Sequence, residues 1–233
     1  MFPEPRSLQL EVRRVVDRTP RMREISLTSP TLAAFSWLPG QDVSLGFSTD
    51  AGVVRRRYSI RRLDSHSQTL DIQVVMHGDG PGMRWAKQAQ PGQTLDAIAP
   101  RGKITLDANA TWHLFAGDAT AVAAMLAMME ALRNSAQARG LFLVDNQAEQ
   151  QEAPRNSQIE WRYADDDLRE ALGQTELMPG EGHAYLAGEV ALVTRLKADL
   201  LDRGWDATKI SAKAYWNRGR ANAGHGEPEQ KAS

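Results

Sequence analysis

Cysteine is absent from all 233 residues. That excludes disulfides, thiolate nucleophiles and iron–sulfur clusters held by cysteine. Redox chemistry in this chain would need a bound organic cofactor or a metal held by other ligands. No apolar run approaches the roughly 20 residues of a membrane span. Met1–Arg6 lacks the basic start and apolar stretch of a secretory signal. A soluble cytoplasmic protein without membrane attachment is therefore expected. The formal net charge is −1, which argues against a general nucleic-acid binder. The histidines show no His-x-x-x-His spacing, so no metal site is expected.

The 42% hydrophobic fraction is enough for packed cores, and the length suits two domains. Leu8, Leu10 and Val12 alternate with polar residues; so do Ile25 and Leu27, Val43 to Phe47, and Leu70 to Met76. Period two marks antiparallel strands with one buried face. Turn residues separate them at Pro39-Gly40, Asp50-Ala51-Gly52, Pro91-Gly92 and Pro100-Arg101-Gly102. After about residue 108 the pattern changes. Short apolar runs at Trp112–Ala116, Leu141–Val144, His183–Ala187 and Ile210–Tyr215 alternate with helical spacing at Val122–Met129 and Val193–Leu200. This predicts an antiparallel β-barrel over 1–108 and a parallel-sheet α/β domain over 109–220. The stretch Gln147–Ser157 reads as a loop, and 221–233 as a disordered tail.

Two stretches carry chemistry. Arg55-Arg56-Arg57-Tyr58-Ser59-Ile60-Arg61-Arg62 holds five arginines in eight residues. On a strand Arg56 and Tyr58 share a face, and that pair suits a ligand with a phosphate and a flat ring. An edge strand protected by charge is the alternative. The second stretch runs from His77 to Lys87. A glycine loop, Gly78-Asp79-Gly80, precedes a helix predicted from Pro81 to Ala89. Free N–H groups at such a helix start suit a pyrophosphate.

Arg56-x-Tyr58-Ser59 resembles the flavin motif of the ferredoxin–NADP reductase superfamily. A fuller set follows in order: His77-Gly78, the Gly-Pro loop before Trp85-Ala86, Pro91-Gly92, Pro100-Arg101-Gly102, Ala116-Gly117-Asp118-Ala119-Thr120, Ala187-Gly188-Glu189 and Tyr215-Trp216-Asn217-Arg218-Gly219. This order is similar to the siderophore-interacting protein family of FAD-dependent ferric-siderophore reductases, from about residue 8 to 220.

The resemblance implies FAD phosphate on Arg56, the isoalloxazine against Tyr58, and Ser59 and Ile60 beside its reactive edge. His77, Gly78, Gly80, Pro81, Gly82 and Met83 would hold the pyrophosphate, with Trp85 packed nearby. Gly117, Asp118 and Thr120 would form the mouth for NADPH or NADH, and Trp216 would end the last strand close to the flavin. Arg55, Lys103, Lys213 and Arg218 are candidates for an anionic ferric siderophore, drawn from a wider set that includes Arg57, Arg62 and Arg220. The resemblance names no catalytic acid or base and leaves a reduced ferredoxin as a further possible donor; a monomer is expected. Two departures stand out. Gly82-Met83 occurs where the family commonly has Ala-Ser, which leaves phosphate contacts to backbone N–H groups. Asn217 occurs where arginine is frequent. A ferredoxin or flavodoxin reductase, or a non-catalytic siderophore or flavin carrier, are the competing readings.

Overall fold

The computed structural model describes residues 5–50, 52–102, 104–164, 166–176, 178 and 180–219. Lys103, Arg220 and the expected tail at 221–233 lie outside them. The chain divides into two compact units, with the main break after Leu106 and the short stretch Leu126–Met128 grouped with the first unit.

The first unit is a closed barrel. Its strands are β1 (Arg6–Thr19), β2 (Met22–Thr28), β3 (Asp42–Thr49), β4 (Gly52–Asp64), β5 (Thr69–Val75) and β6 (Thr94–Arg101), with α1 (Pro81–Gln88) between β5 and β6. The order around the barrel is β1-β2-β5-β4-β3-β6, and every pairing is antiparallel. Alternation sends Leu10, Val12, Ile25, Leu27, Leu45, Ile60, Leu70 and Ile72 inward, where they are fully buried. Burial of a side chain of this size contributes about 1.5–3 kcal/mol. Register keeps these residues level, with Ile25 opposite Ile72 and Leu27 opposite Leu70. The turn expected at Pro100-Arg101-Gly102 starts later, because β6 runs through Arg101. Gly102, at φ 97°, makes the turn. Helix α1 starts at proline, whose missing N–H costs nothing there. It buries Gly82, Met83 and Ala86 on the barrel.

The second unit holds β7 (Trp112–Asp118), α2 (Val122–Glu130), β8 (Gln137–Val144), β9 (Ser157–Tyr163), α3 (Leu168–Gln174), β10 (Gly182–Glu189), α4 (Val190–Asp202) and β11 (Ile210–Trp216). The sheet order is β11-β10-β7-β8-β9, and all pairings are parallel. Read from its far edge, the sheet runs third, second, first, fourth, fifth in chain order. That arrangement places the strand-order reversal between β7 and β10, where open α/β sheets bind dinucleotides beyond the carboxyl ends. One face packs Leu141, Leu186 and Ala212 with Leu168 and Leu172 of α3 and Val193, Leu196 and Leu200 of α4. Helix α3 follows β9 where the sequence had suggested no helix. Its Asp167 cap accepts from Arg169 N–H at 2.8 Å.

Candidate functional site

Within the barrel unit, β4 carries Arg55, Arg56, Tyr58, Ser59 and Ile60, and α1 with its preceding loop carries Gly78 to Met83 and Trp85. Tyr58 joins them. Its ring meets Phe47 edge to face, with centroids 6.4 Å apart, and burial pushes its phenol pKa up. A Cβ built on Gly82 would stand 2.1 Å from the Tyr58 hydroxyl. Glycine at 82 is thus what lets this phenol lie under the first turn of α1. Neither neighbour in sequence signals that contact. Around Gly78 and Gly80 an added Cβ would meet nothing within 4 Å. The loop therefore offers open backbone leading into the helix start, whose first N–H groups have no intrahelical acceptor. A diphosphate fits such a cradle in charge and size.

The arginines of β4 have different tasks. Arg57 forms two hydrogen bonds with Asp42, at 2.8 and 2.6 Å. Asp42 is buried, so Arg57 is a structural counter-ion. It is not available as a substrate cation. Arg55 is exposed and reaches only the Ser44 carbonyl, at 3.5 Å. Arg56 is half-buried and donates to the Arg55 carbonyl at 2.9 Å. Ile60 belongs to the barrel core, and its backbone N–H goes to the Gln41 carbonyl at 3.0 Å. It has no polar group of its own to offer a ligand through that N–H. Trp85 packs on Phe47 at 5.4 Å. It lines a groove of about 510 Å³ with Pro81, Arg84 and Leu95. Its buried Nε1 has no hydrogen-bond partner.

In the second unit, Gly117, Asp118, Thr120 and Trp216 converge at the carboxyl ends of β7, β10 and β11. Asp118 is the centre. One carboxylate oxygen accepts from Thr120 N–H at 2.8 Å and from the Thr120 hydroxyl at 2.5 Å. The other accepts from Glu189 N–H at 2.7 Å and Trp216 Nε1 at 2.9 Å. The carboxylate ties three strand ends together. Two glycines permit it. A Cβ on Gly117 would lie 2.1 Å from the Ala187 carbonyl, and one on Gly188 (φ 132°) would lie 2.6 Å from the Asp118 carboxylate. Glu189 caps α4 through Leu192 N–H at 3.0 Å. Arg218 is exposed, and its N–H lies 3.4 Å from Glu189. Lys213 lies 5.4 Å from the Tyr215 ring.

The amino ends of the same strands hold a second polar network, away from the predicted site residues. His183 lies 3.2 Å from Asp107 and 2.9 Å from Ser211. Lys209 reaches Asp107 at 3.3 Å. Rings of His113, Phe115, Tyr185 and His183 stack beside it. Burial lowers the pKa of both histidines, His113 to about 4.

An antiparallel barrel followed by a parallel sheet of dinucleotide-binding order defines a two-unit β-barrel and α/β architecture. Comparison narrows the class. Residues 46–104 match the family model described as a siderophore-interacting FAD-binding domain, and residues 110–219 match that of the siderophore-interacting protein. The chain belongs to the siderophore-interacting protein family. It is 34% identical over 178 residues to the ferric vibriobactin reductase ViuB of Vibrio cholerae, covering 72% of this chain and 66% of that protein. To an NADPH-dependent ferric-chelate reductase of Escherichia coli it is 28% identical over 160 residues, covering 66% and 63%. The chain thus spans just under two thirds of these relatives. A siderophore utilization protein from T. fusca superposes with a TM-score of 0.88 at 29% identity, covering 97% of this chain and 98% of that one. No helix among the described residues is long and apolar enough to cross a membrane.

Proposed function

We propose that this protein is an FAD-dependent reductase that converts the ferric iron of a siderophore complex to ferrous iron. The observation that carries this reading is the pair of family matches in chain order, one on each unit. The names of the two reductase relatives support it. One nicotinamide supplies two electrons as hydride and two ferric ions take one each, leaving NAD(P)⁺, a proton and two ferrous ions. Bound FAD supplies the conversion between two-electron and one-electron transfer. Ferrous iron is softer and is held weakly by hard oxygen donors, so reduction frees it.

On this reading the chain's residues bind and orient. Arg56 meets a phosphate oxygen, Tyr58 presents its ring to the flavin plane, and Ser59 donates at the reactive edge. His77, the open backbone from Gly78 to Gly82 and the first turn at Met83 hold the diphosphate. Trp85 supports that turn by packing on Phe47. Gly117 and Thr120 border the nicotinamide mouth, while Asp118 holds Trp216 in place there. Arg55, Lys213 and Arg218 are the described cations assigned to an anionic siderophore, with Lys103 the fourth candidate. The protein works in the cytoplasm as a monomer, with reduced ferredoxin as the alternative donor.

The test is the visible spectrum of the purified protein under anaerobic conditions. Flavin bands should bleach with NADH or NADPH and return when a ferric siderophore is added, as ferrous iron accumulates. A protein that takes up no FAD refutes the reading. Bands that bleach only with dithionite or reduced ferredoxin exclude the nicotinamide and leave a protein donor or a carrier.

A further inference from the structure

We infer that Asp145 selects a nicotinamide donor with a free adenosine 2′-hydroxyl, so that NADH rather than NADPH feeds this chain. The inference rests on the reading that a nicotinamide binds at the carboxyl ends of the second unit. Strand order, not the acid itself, locates the position. In a sheet whose first strand is flanked by its second and fourth, the dinucleotide crosses the reversal point, and its adenosine ribose reaches the end of the second strand. Here the reversal lies between β7 and β10, and the second strand is β8. Asp145 follows Val144, the last residue of β8, and is exposed. Asp118 is level with Leu143 in the register of β7 on β8, so Asp145 stands two residues further out. A carboxylate there accepts hydrogen bonds from a ribose diol and repels a 2′-phosphate.

The surroundings strengthen that repulsion. The segments that follow β7, β8 and β9, residues 119–121, 145–156 and 164–167, hold a single basic residue, Arg155, against Asp145, Glu149, Glu152, Asp165, Asp166 and Asp167. Arg155, in the loop after β8, is exposed, and two arginines of the adjoining elements are committed elsewhere. Arg162, level with Leu143, pairs with Glu160. Arg169 donates twice to Asp199, at 2.7 and 2.5 Å. Neither is left to form the bidentate contact that a 2′-phosphate favours. Tyr163 ends β9 opposite Val144, and its hydroxyl accepts from Gln150 at 2.7 Å. That places a fixed aromatic ring beside the acid, suited to an adenine base. The relative from E. coli carries NADPH in its name, so the inference separates this chain from it.

The experiment is equilibrium binding of AMP and of its 2′-phosphate to the FAD-loaded protein, by calorimetry at low salt, for the parent and for Asp145→Asn and Asp145→Arg. A near-surface charge pair of this kind corresponds to a preference of about tenfold or more. AMP should bind that much more tightly than its 2′-phosphate in the parent. Asp145→Asn should shrink the ratio, Asp145→Arg should invert it, and added salt should weaken it in all three. A parent that prefers the 2′-phosphate, or a ratio untouched by Asp145→Arg, overturns the inference alone. If neither nucleotide binds and neither NADH nor NADPH bleaches the flavin, the inference falls together with the nicotinamide reading beneath it.

Discussion

The two ends of the parallel sheet are built from the same strands and do opposite things. At the carboxyl ends Asp118 is bonded by four donors from three segments, and it lies at the strand-order reversal. At the amino ends Asp107, His183, Ser211 and Lys209 close a half-buried network beside a stack of four rings. Both ends hold a carboxylate in a hydrogen-bonded cluster. Only one lies where α/β sheets bind ligands. A cluster of titratable groups is therefore a weak sign of a site until its place on the sheet is known.

That contrast can be broken by substitution. Gly117→Ala should have the largest effect. Its Cβ would drive into the Ala187 backbone rather than a movable side chain, and the second unit should lose its cooperative unfolding transition, a cost above about 4 kcal/mol. Acid should act next, through the amino ends. His113 has a folded pKa of about 4, lowered chiefly by burial, against an ordinary value near 6.5. Above about pH 6.5 both states are neutral and the full stability is present. As pH falls from there towards 4 the unfolded chain takes up the proton first, so stability drops by up to about 3 kcal/mol. Denaturant melts across this window should show the loss, and His113→Phe should flatten it. Asp118→Asn comes third, at about 2 kcal/mol, because an amide turns a donor towards groups that are themselves donors. Tryptophan fluorescence should shift as Trp216 loses its carboxylate partner, and AMP binding should weaken. Ser211→Ala is the smallest, at about 1 kcal/mol for one hydrogen bond. It should leave AMP affinity unchanged, and a loss of affinity there would erase the distinction between the two ends.

Much of this was legible in the chain. Period-two alternation located β2, β3 and β5, and the switch to apolar runs with helical spacing marked the second unit. The proline-led start of α1 was legible because proline acts locally. Pairings across many residues were not. The five arginines among residues 55–62 all offered charge, yet Arg57 is neutralised by Asp42 fifteen positions earlier, and only the folded strand pair reveals it. Tyr58 and Gly82 gave no sign of meeting, since the contact depends on how α1 lies on the barrel. Helix α3 went unseen because its seven residues are too few to show a period. Ile60 follows Ser59 in the motif, and its apolar side chain packs in the barrel core.

A closed barrel has no exposed strand edge, but the five-stranded sheet has two, β9 and β11. An edge strand is a template on which another chain can add. The outer strands are not smooth apolar ribbons: β9 carries the Glu160–Arg162 pair, and β11 carries Lys213. A second molecule docking edge to edge would have to strip water from those charges without a matched partner. The same sheet that carries the strand-order reversal thus also carries, along its sides, its own protection against polymerising.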